Sequence, residues 1–392
     1  MSRRQEREVL TGHQVVANAM RQIAPDVVAA YPITPQSEIM EYFAQFVADG
    51  EVDSEVITVE SEHSAMSACV GSSAAGARTM TATASQGLAL MMEIVYIAAS
   101  MRAPIVMAIC NRALSGPINI HADHSDSMAA RDSGVIQVYG EDAQEAYDLT
   151  VIAQRLAENH DILLPVMVTL DGFTLTHSAQ VAQLLQDDAV REFVGEYDPL
   201  YPLLDTDNPT TQGPFDMPDY YFEHKRQQVD AIGNAPEKFL ELQEEFNQLA
   251  GTDYDGLYEG YKLEDADYAM VVLGSTAGTA KDTVDMLREK GEKVGLLKPW
   301  MFRPFPAEEI REALEGVEAV AVLDRSLSFG SNGPLYLEIS SALSDLDDGP
   351  RIYNYTFGLG GRDTTAEDLA GTFEEITDEE LEKKMRYIGL RA

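Results

Sequence analysis

The chain has 392 residues, 45 % of them hydrophobic, and carries a formal net charge of −38, so it is long enough for two globular units, each with its own core. So acidic a surface repels nucleic acid and anionic lipid and excludes both as partners; a basic partner, a salty cytoplasm and simple solubility all remain as explanations. No apolar run approaches the ~18 residues of a membrane span, and the charged start MSRRQEREVLTGHQ lacks the apolar core of a secretory signal. Two cysteines, Cys69 and Cys110, supply neither a disulfide framework nor a CxxC pair. A cytoplasmic location is expected.

Apolar, β-branched runs recur at Val27–Ala30, Glu55–Val59, Arg78–Thr83, Ile105–Cys110, Val135–Tyr139 and Val166–Leu170. Helical patterns separate most of them: Ile39, Met40, Phe43, Phe46 and Val47 follow a 3.6-residue period, as do Ala146, Leu149, Ile152, Ala153 and Leu156. Such alternation implies parallel strands with crossover helices, a doubly wound α/β unit. After the first run comes YPITPQSE (31–38). Pro32 ends the strand, and Pro35 suits the first helical position with Thr34 as N-cap. The segment SEHSAMSACVGSSAA (61–75) is nearly all small residues and, as a helix, would pack close to a neighbour.

From about 178 to 255 the alternation lapses. The stretch 205–228 is rich in turn formers and aromatics and reads as an extended arm on a surface, followed by a helix at Pro236–Ala250. Alternation resumes with strands at 268–274, 293–298, 319–324 and 351–356 and helices near Ala277–Lys290, at Ala307–Leu314, after Pro334 and at the C-terminus. The expected division is 1–255 for the first unit with its arm and 256–392 for a second, smaller α/β unit.

Open α/β sheets bind ligands beyond the carboxyl ends of their strands, where helix N-termini gather. The loops there are YPITP (31–35), ESEHS (60–64), TASQG (83–87), CNRALSGP (110–117), YGED (139–142) and LDGF (170–173). They hold Thr34, Glu60, Glu62, Ser85, Gln86, Asn111, Arg112, Asp142 and Asp171. Arg112 can take a carboxylate through two hydrogen bonds or pair with one of the many acids. Glu62 opens a helix, where the dipole favours a carboxylate, and suits capping or catalysis. Thr34 taken alone is a cap. HADHSD (121–126) offers His121, Asp123, His124 and Asp126 as metal ligands, but no second ligand cluster accompanies them and no metal is expected there. GSSAAG (71–76) lacks dinucleotide-binding spacing and reads as helix packing.

Beyond these spacings, YPITPQSE, ESEHSAMSACVGSSAAGARTMTATASQGLALM, NRALSGPINI with DHSDSMAARDSG, LDGFTLTH, NPTTQGPFDMPDYYFEHKRQQ and GLLKPWMFRPFP resemble, in order and over essentially the whole chain, the alpha subunit of pyruvate:ferredoxin oxidoreductase (pyruvate synthase) in the 2-oxoacid:ferredoxin oxidoreductase family. The resemblance implies a thiamine-diphosphate enzyme that decarboxylates a 2-oxoacid, forms an acyl-CoA and passes electrons to ferredoxin. It implies a pyrimidine-binding-type first domain and a transketolase C-terminal-like second domain. By the same resemblance Glu62 would face the pyrimidine N1′, favouring the imino form of the 4′-amino group that removes the C2 proton. Thr34 and Arg112 would hold the substrate carboxylate, with Arg112 stabilising charge until CO2 leaves, and Pro32, Ile33, Ser85 and Gln86 would line the cofactor. Gln36, where many members carry serine, and His63-Ser64 depart from the pattern.

Two absences are as informative. No GDG is followed by the Asn-Asn that grips diphosphate and Mg2+, Leu170-Asp171-Gly172-Phe173 being the nearest sequence, and two cysteines cannot hold an iron–sulfur cluster that needs about four. The absences imply that partner chains supply the diphosphate half and the clusters; the resemblance implies that thiamine diphosphate is shared with a beta subunit that brings Mg2+ and [4Fe-4S] clusters, with ferredoxin-like gamma and delta subunits or fused equivalents, CoA as substrate, and a dimer of heteromers. A preference for 2-oxoisovalerate, 2-oxoglutarate or oxalate, an E1-type dehydrogenase subunit, and a non-catalytic assembly subunit are the competing readings.

Overall fold

The computed structural model describes residues 3–391. Among them the first sheet has seven strands in the spatial order Met301–Arg303, Ile136–Tyr139, Val166–Asp171, Ile105–Asn111, Thr79–Thr83, Val27–Ala30 and Glu55–Thr58. The last six are the expected ones, and they pair in parallel. Thr79–Thr83, Ile105–Asn111 and Val166–Asp171 are buried along their whole length, which is why they read as continuous runs rather than as alternation. Gly12–Ile23, Ser37–Ala48 and Ala143–Glu158 cover one face through Val16, Phe43 and Ile152, and Glu62–Ala74 and Ser85–Ser100 cover the other through Met66, Cys69 and Leu88. Both thiols are free and fully buried, and burial pushes the Cys69 thiol up to about 12.

The second sheet runs Arg386–Tyr387, Arg351–Thr356, Ala319–Asp324, Tyr268–Val272, Val294–Pro299 and Tyr258–Tyr261, parallel except for the last pair. Helices Thr276–Glu289, Ala307–Leu314, Pro334–Ala342 and Ala366–Ile376 lie where the periodicity places them.

Three expectations need correction. The stretch 205–228 is not extended throughout: beyond Pro218 it carries no helix breaker, and Tyr221–Gly233 is helical. The helix after YPITP starts at Ser37, not Pro35, because the Ile33 carbonyl accepts N–H from Gln36 at 2.7 Å and Ser37 at 3.1 Å. That closes a turn, and Thr34, exposed within it, caps nothing. Met301–Arg303, too short to show a period, crosses back to pair antiparallel with Ile136–Tyr139. Glu8–Thr11 and Ala179–Ala182 form a further antiparallel pair.

Buried charge joins the two sheets. Asp171 accepts from His124 Nε2 at 2.8 Å, Arg325 Nη1 at 2.9 Å, and Ser275 through N–H at 3.0 Å and Oγ at 2.5 Å. Burial opposes its ionisation, yet Arg325, His124 and Ser275 outweigh burial and hold the carboxyl far below the usual range. Fully buried Lys298 contacts Glu141 at 2.8 Å, Glu145 at 2.5 Å and Glu259 at 2.7 Å. Burial pulls its pKa down, and the three carboxylates more than reverse this.

Candidate active site

From Val27–Ala30 the chain steps to Glu55–Thr58 on one side and then to Thr79–Thr83 on the other. That reversal opens a crevice at the carboxyl ends, where open α/β sheets bind ligands. The loops beyond these strands touch. Gly172 donates its N–H to Asn111 O at 3.0 Å. A Cβ at 172 would stand 2.4 Å from that oxygen and 2.8 Å from Pro35 Cγ, so only glycine lets the three segments meet.

Arg112 reaches into this crevice from the end of Ile105–Asn111. Nη1 donates to the Thr34 carbonyl at 2.9 Å and Nε to Asn119 O at 3.1 Å, while Nη2 has no partner among the described residues. The side chain is 7 % exposed and forms no ion pair among the described residues. Burial lowers its pKa, with nearby Asp126 acting in the opposite sense, and a guanidinium stays charged regardless. Thr34, an exposed residue, therefore meets Arg112 through its backbone carbonyl.

Asp126 fixes where Arg112 sits. Its Oδ2 accepts from Ser85 N at 2.8 Å and Arg112 N at 2.9 Å, and its Oδ1 from Asn111 Nδ2 and Ser127 N, both at 2.8 Å. Burial pushes this carboxyl up to about 6 against those hydrogen bonds. HADHSD is thus a clamp: Asp126 holds backbone, and His124 turns to Asp171. Sequence reading missed it because the atoms it binds lie up to 41 residues away.

Glu62 opens Glu62–Ala74 behind the N-cap Ser61, whose Oγ accepts from Ser64 N at 3.2 Å. The residue is 7 % exposed, and its carboxylate has no hydrogen bond or ion pair among the described residues. It lies against Gly87: a Cβ there would be 2.8 Å from Glu62 Oε1 and 2.4 Å from Thr83 Oγ1, itself buried without a partner. One helix start, Ser85–Gly87, thus carries Glu62 on one side and, through Asp126, Arg112 on the other. Pro32 is exposed, Ile33 packs on the main core, and Gln86 is half-buried. Ser85 is fully buried with Oγ 2.6 Å from Gln86 Oε1 and 2.7 Å from Ala113 O, so its hydroxyl is engaged by the scaffold. Gln36 is fully buried and neither amide atom has a partner among the described residues.

Residues 18–244 match the family model described as pyruvate flavodoxin/ferredoxin oxidoreductase, thiamine diphosphate-binding, and residues 266–369 match pyruvate:ferredoxin oxidoreductase core domain II. The chain belongs to the pyruvate:ferredoxin oxidoreductase family. Among this family's curated members it is 58 % identical to pyruvate synthase subunit PorA of Thermotoga maritima over 100 % of both chains. It is 48 % identical to the PorA of Methanocaldococcus jannaschii over 98 % of each. Identity to ketoisovalerate oxidoreductase subunit VorA of Pyrococcus horikoshii is 41 %, again over 98 % of each. In fold it is similar to the 2-oxoglutarate:ferredoxin oxidoreductase of Magnetococcus marinus, with a TM-score of 0.74 at 21 % identity, covering 95 % of this chain and 66 % of that one. A split-gene transketolase matches at a TM-score of 0.52 and 13 % identity over 93 % of each chain. Both folds agree with the expected thiamine-enzyme architecture. Among the described residues no helix is long and apolar enough to cross a membrane.

Proposed function

We propose that this chain is the alpha subunit of a multisubunit pyruvate:ferredoxin oxidoreductase in which Glu62, Arg112 and Thr34 act on cofactor and substrate. The observation that carries the proposal is that two buried side chains of opposite charge, Glu62 and Arg112, flank one helix start without an ionic partner. A buried carboxylate with no donor is costly, and a ring nitrogen carrying a proton would satisfy it. Gly87, bare of a side chain, lets the Glu62 carboxylate and the unpartnered Thr83 Oγ1 come close together at this helix start. These residues fit a pyrimidine, which in thiamine diphosphate activates the thiazolium carbon that attacks a 2-oxoacid.

Glu62 holds a proton at that ring nitrogen. The Thr34 and Asn119 carbonyls fix two arms of the Arg112 guanidinium, so Nη2 is aimed in advance at an incoming carboxylate and little reorganisation follows. The Thr34 hydroxyl donates a second hydrogen bond. Pro32, Ile33 and Gln86 shape the wall, and Ser85 acts through the backbone it anchors. The diphosphate half, Mg2+ and [4Fe-4S] clusters lie on beta, gamma and delta partners in a cytoplasmic dimer of heteromers, with CoA as acyl acceptor and ferredoxin as electron acceptor. A division into units at 255/256 is supported by the strands of the two sheets falling on either side of it, Met301–Arg303 excepted.

The 41 % identity to a ketoisovalerate oxidoreductase subunit keeps a branched 2-oxoacid as the second reading. Ile118 and Ile120, on the loop after Arg112, are exposed at 74 % and 39 %, so their neighbours in the complex set the acyl volume. Anaerobic assay of the complete complex with pyruvate, 2-oxoisovalerate and 2-oxoglutarate, CoA and a viologen acceptor tests both readings. The highest kcat/KM is expected for pyruvate, and Arg112→Ala should lower kcat by about 10²–10³-fold. An assembly role without chemistry would leave that variant indistinguishable from wild type.

A further inference from the structure

Three donors converge at the start of Ser37–Ala48, apart from Glu62 and the Arg112 guanidinium. His13 is fully buried; its Nε2 faces the Pro35 carbonyl and its Nδ1 lies 3.1 Å from Glu38 Oε2. His177 has Nδ1 2.8 Å from Thr176 Oγ1 and Nε2 3.5 Å from Glu38 Oε1. One atom from each of the three residues lies within 4.8 Å of the others. The rings are held in place: they meet edge to face at 4.6 Å, and Phe173 stacks on His177 at 4.3 Å.

A carbonyl only accepts, so His13 Nε2 must carry the hydrogen. A neutral ring then points the Nδ1 lone pair at a carboxylate oxygen, another acceptor, so either a second ring proton or a metal ion has to lie between them. Zinc–nitrogen and zinc–oxygen bonds are about 2.0–2.2 Å, which puts tetrahedral ligand atoms about 3.3–3.5 Å apart; the separations here, 3.1 and 3.5 Å, run to the two different Glu38 oxygens, so the carboxylate would bind through both or turn slightly to present one. Both histidines anchor the nitrogen that faces away, one on a carbonyl and one on a hydroxyl, the outer-shell support that metal-binding imidazoles carry. Side chains of Glu38 and His177 are 44 % and 34 % exposed, which gives an ion an entry path and leaves the fourth position to water.

We propose that His13, Glu38 and His177 bind a divalent transition-metal ion of the zinc class. The donor set, two imidazoles and a carboxylate, suits Zn2+, Co2+ or Ni2+ over Mg2+ or Ca2+. The ion clasps three segments, the helix Gly12–Ile23, the start of Ser37–Ala48 just beyond the turn that carries Thr34, and the loop after Val166–Asp171. Its role is structural, so it stands or falls independently of the catalytic assignment.

The test is titration of the metal-stripped full-length chain with Co2+. One equivalent should bind with the visible absorption of a tetrahedral site, Zn2+ should bleach it, and Zn2+ should raise the melting temperature. Glu38→Gln and His177→Ala should each weaken binding at least ~100-fold, and Thr176→Val, which removes an outer-shell partner, about 10-fold or more. His224→Ala, on a remote helix, should change nothing. Wild-type chain that takes up no saturable Co2+ overturns the proposal and leaves a His–Glu ion pair; so does undiminished binding in both ligand variants.

Discussion

The seam between the two sheets and the edge that holds Glu62 and Arg112 treat buried charge in opposite ways. In the seam every charge is answered: Asp171 by His124, Arg325 and Ser275, Lys298 by three glutamates. At the edge Glu62 has no polar partner among the described residues, and Arg112 is held only by neutral carbonyls. Removing a charge from water costs several kcal/mol unless a counter-charge or hydrogen bonds offset it. The seam meets that requirement within the chain. The edge leaves it unmet, and side chains so placed are where a bound group supplies what is missing.

Breaking the seam should give the largest change. Lys298→Met leaves Glu145 without a cation and Glu141 and Glu259 with Lys281 alone, and is expected to cost about 3–5 kcal/mol in denaturant unfolding. Part of that loss should return as pH falls and the glutamates protonate. Breaking the edge should leave stability nearly intact and strike turnover instead. Arg112→Ala in the complete complex is expected to lower kcat by about 10²–10³-fold, equivalent to about 2.7–4 kcal/mol, with little change in melting temperature.

The clamp behind Arg112 lies between these extremes and gives a pH signature. Burial raises Asp126 to about 6, above the ~3.9 of an unfolded chain. The folded state therefore binds more protons between about pH 4 and 6, and stability contributed here falls as pH rises through that window, by about 3 kcal/mol in all. Asp126→Asn should flatten this slope in urea unfolding measured at pH 4.5 and 7. Asp171 has the opposite sign: its contribution is present above the unfolded value and is lost as pH falls toward its depressed folded one. The smallest effect belongs to an exposed pair. Arg226 and Asp230, 68 % and 56 % exposed at 2.6 Å, should yield under about 0.5 kcal/mol on Arg226→Ala.

The strands and helices were legible because burial on two faces or one leaves a period in the chain, and the loops after those strands pointed to Thr34, Glu62 and Arg112. Local rules failed where a distant or unforeseen backbone contact decided the outcome. Thr34 reads as a cap, yet the Ile33 carbonyl closes the turn and Arg112, 78 residues on, takes the Thr34 carbonyl. HADHSD reads as stray metal donors, yet Asp126 spends its four bonds on groups from two other segments as well as its own.

Periodicity, turn chemistry and motif order, all properties of neighbouring residues, were sufficient for the α/β class, the two sheets and the family. Which buried charges are answered and which are left open depends on side chains brought together from across some 30 to 160 positions, as with His124 and Asp171 or Lys298 and Glu145. Chain entropy makes no such meeting local. Only the packed sheets, by fixing loop against loop, decide it.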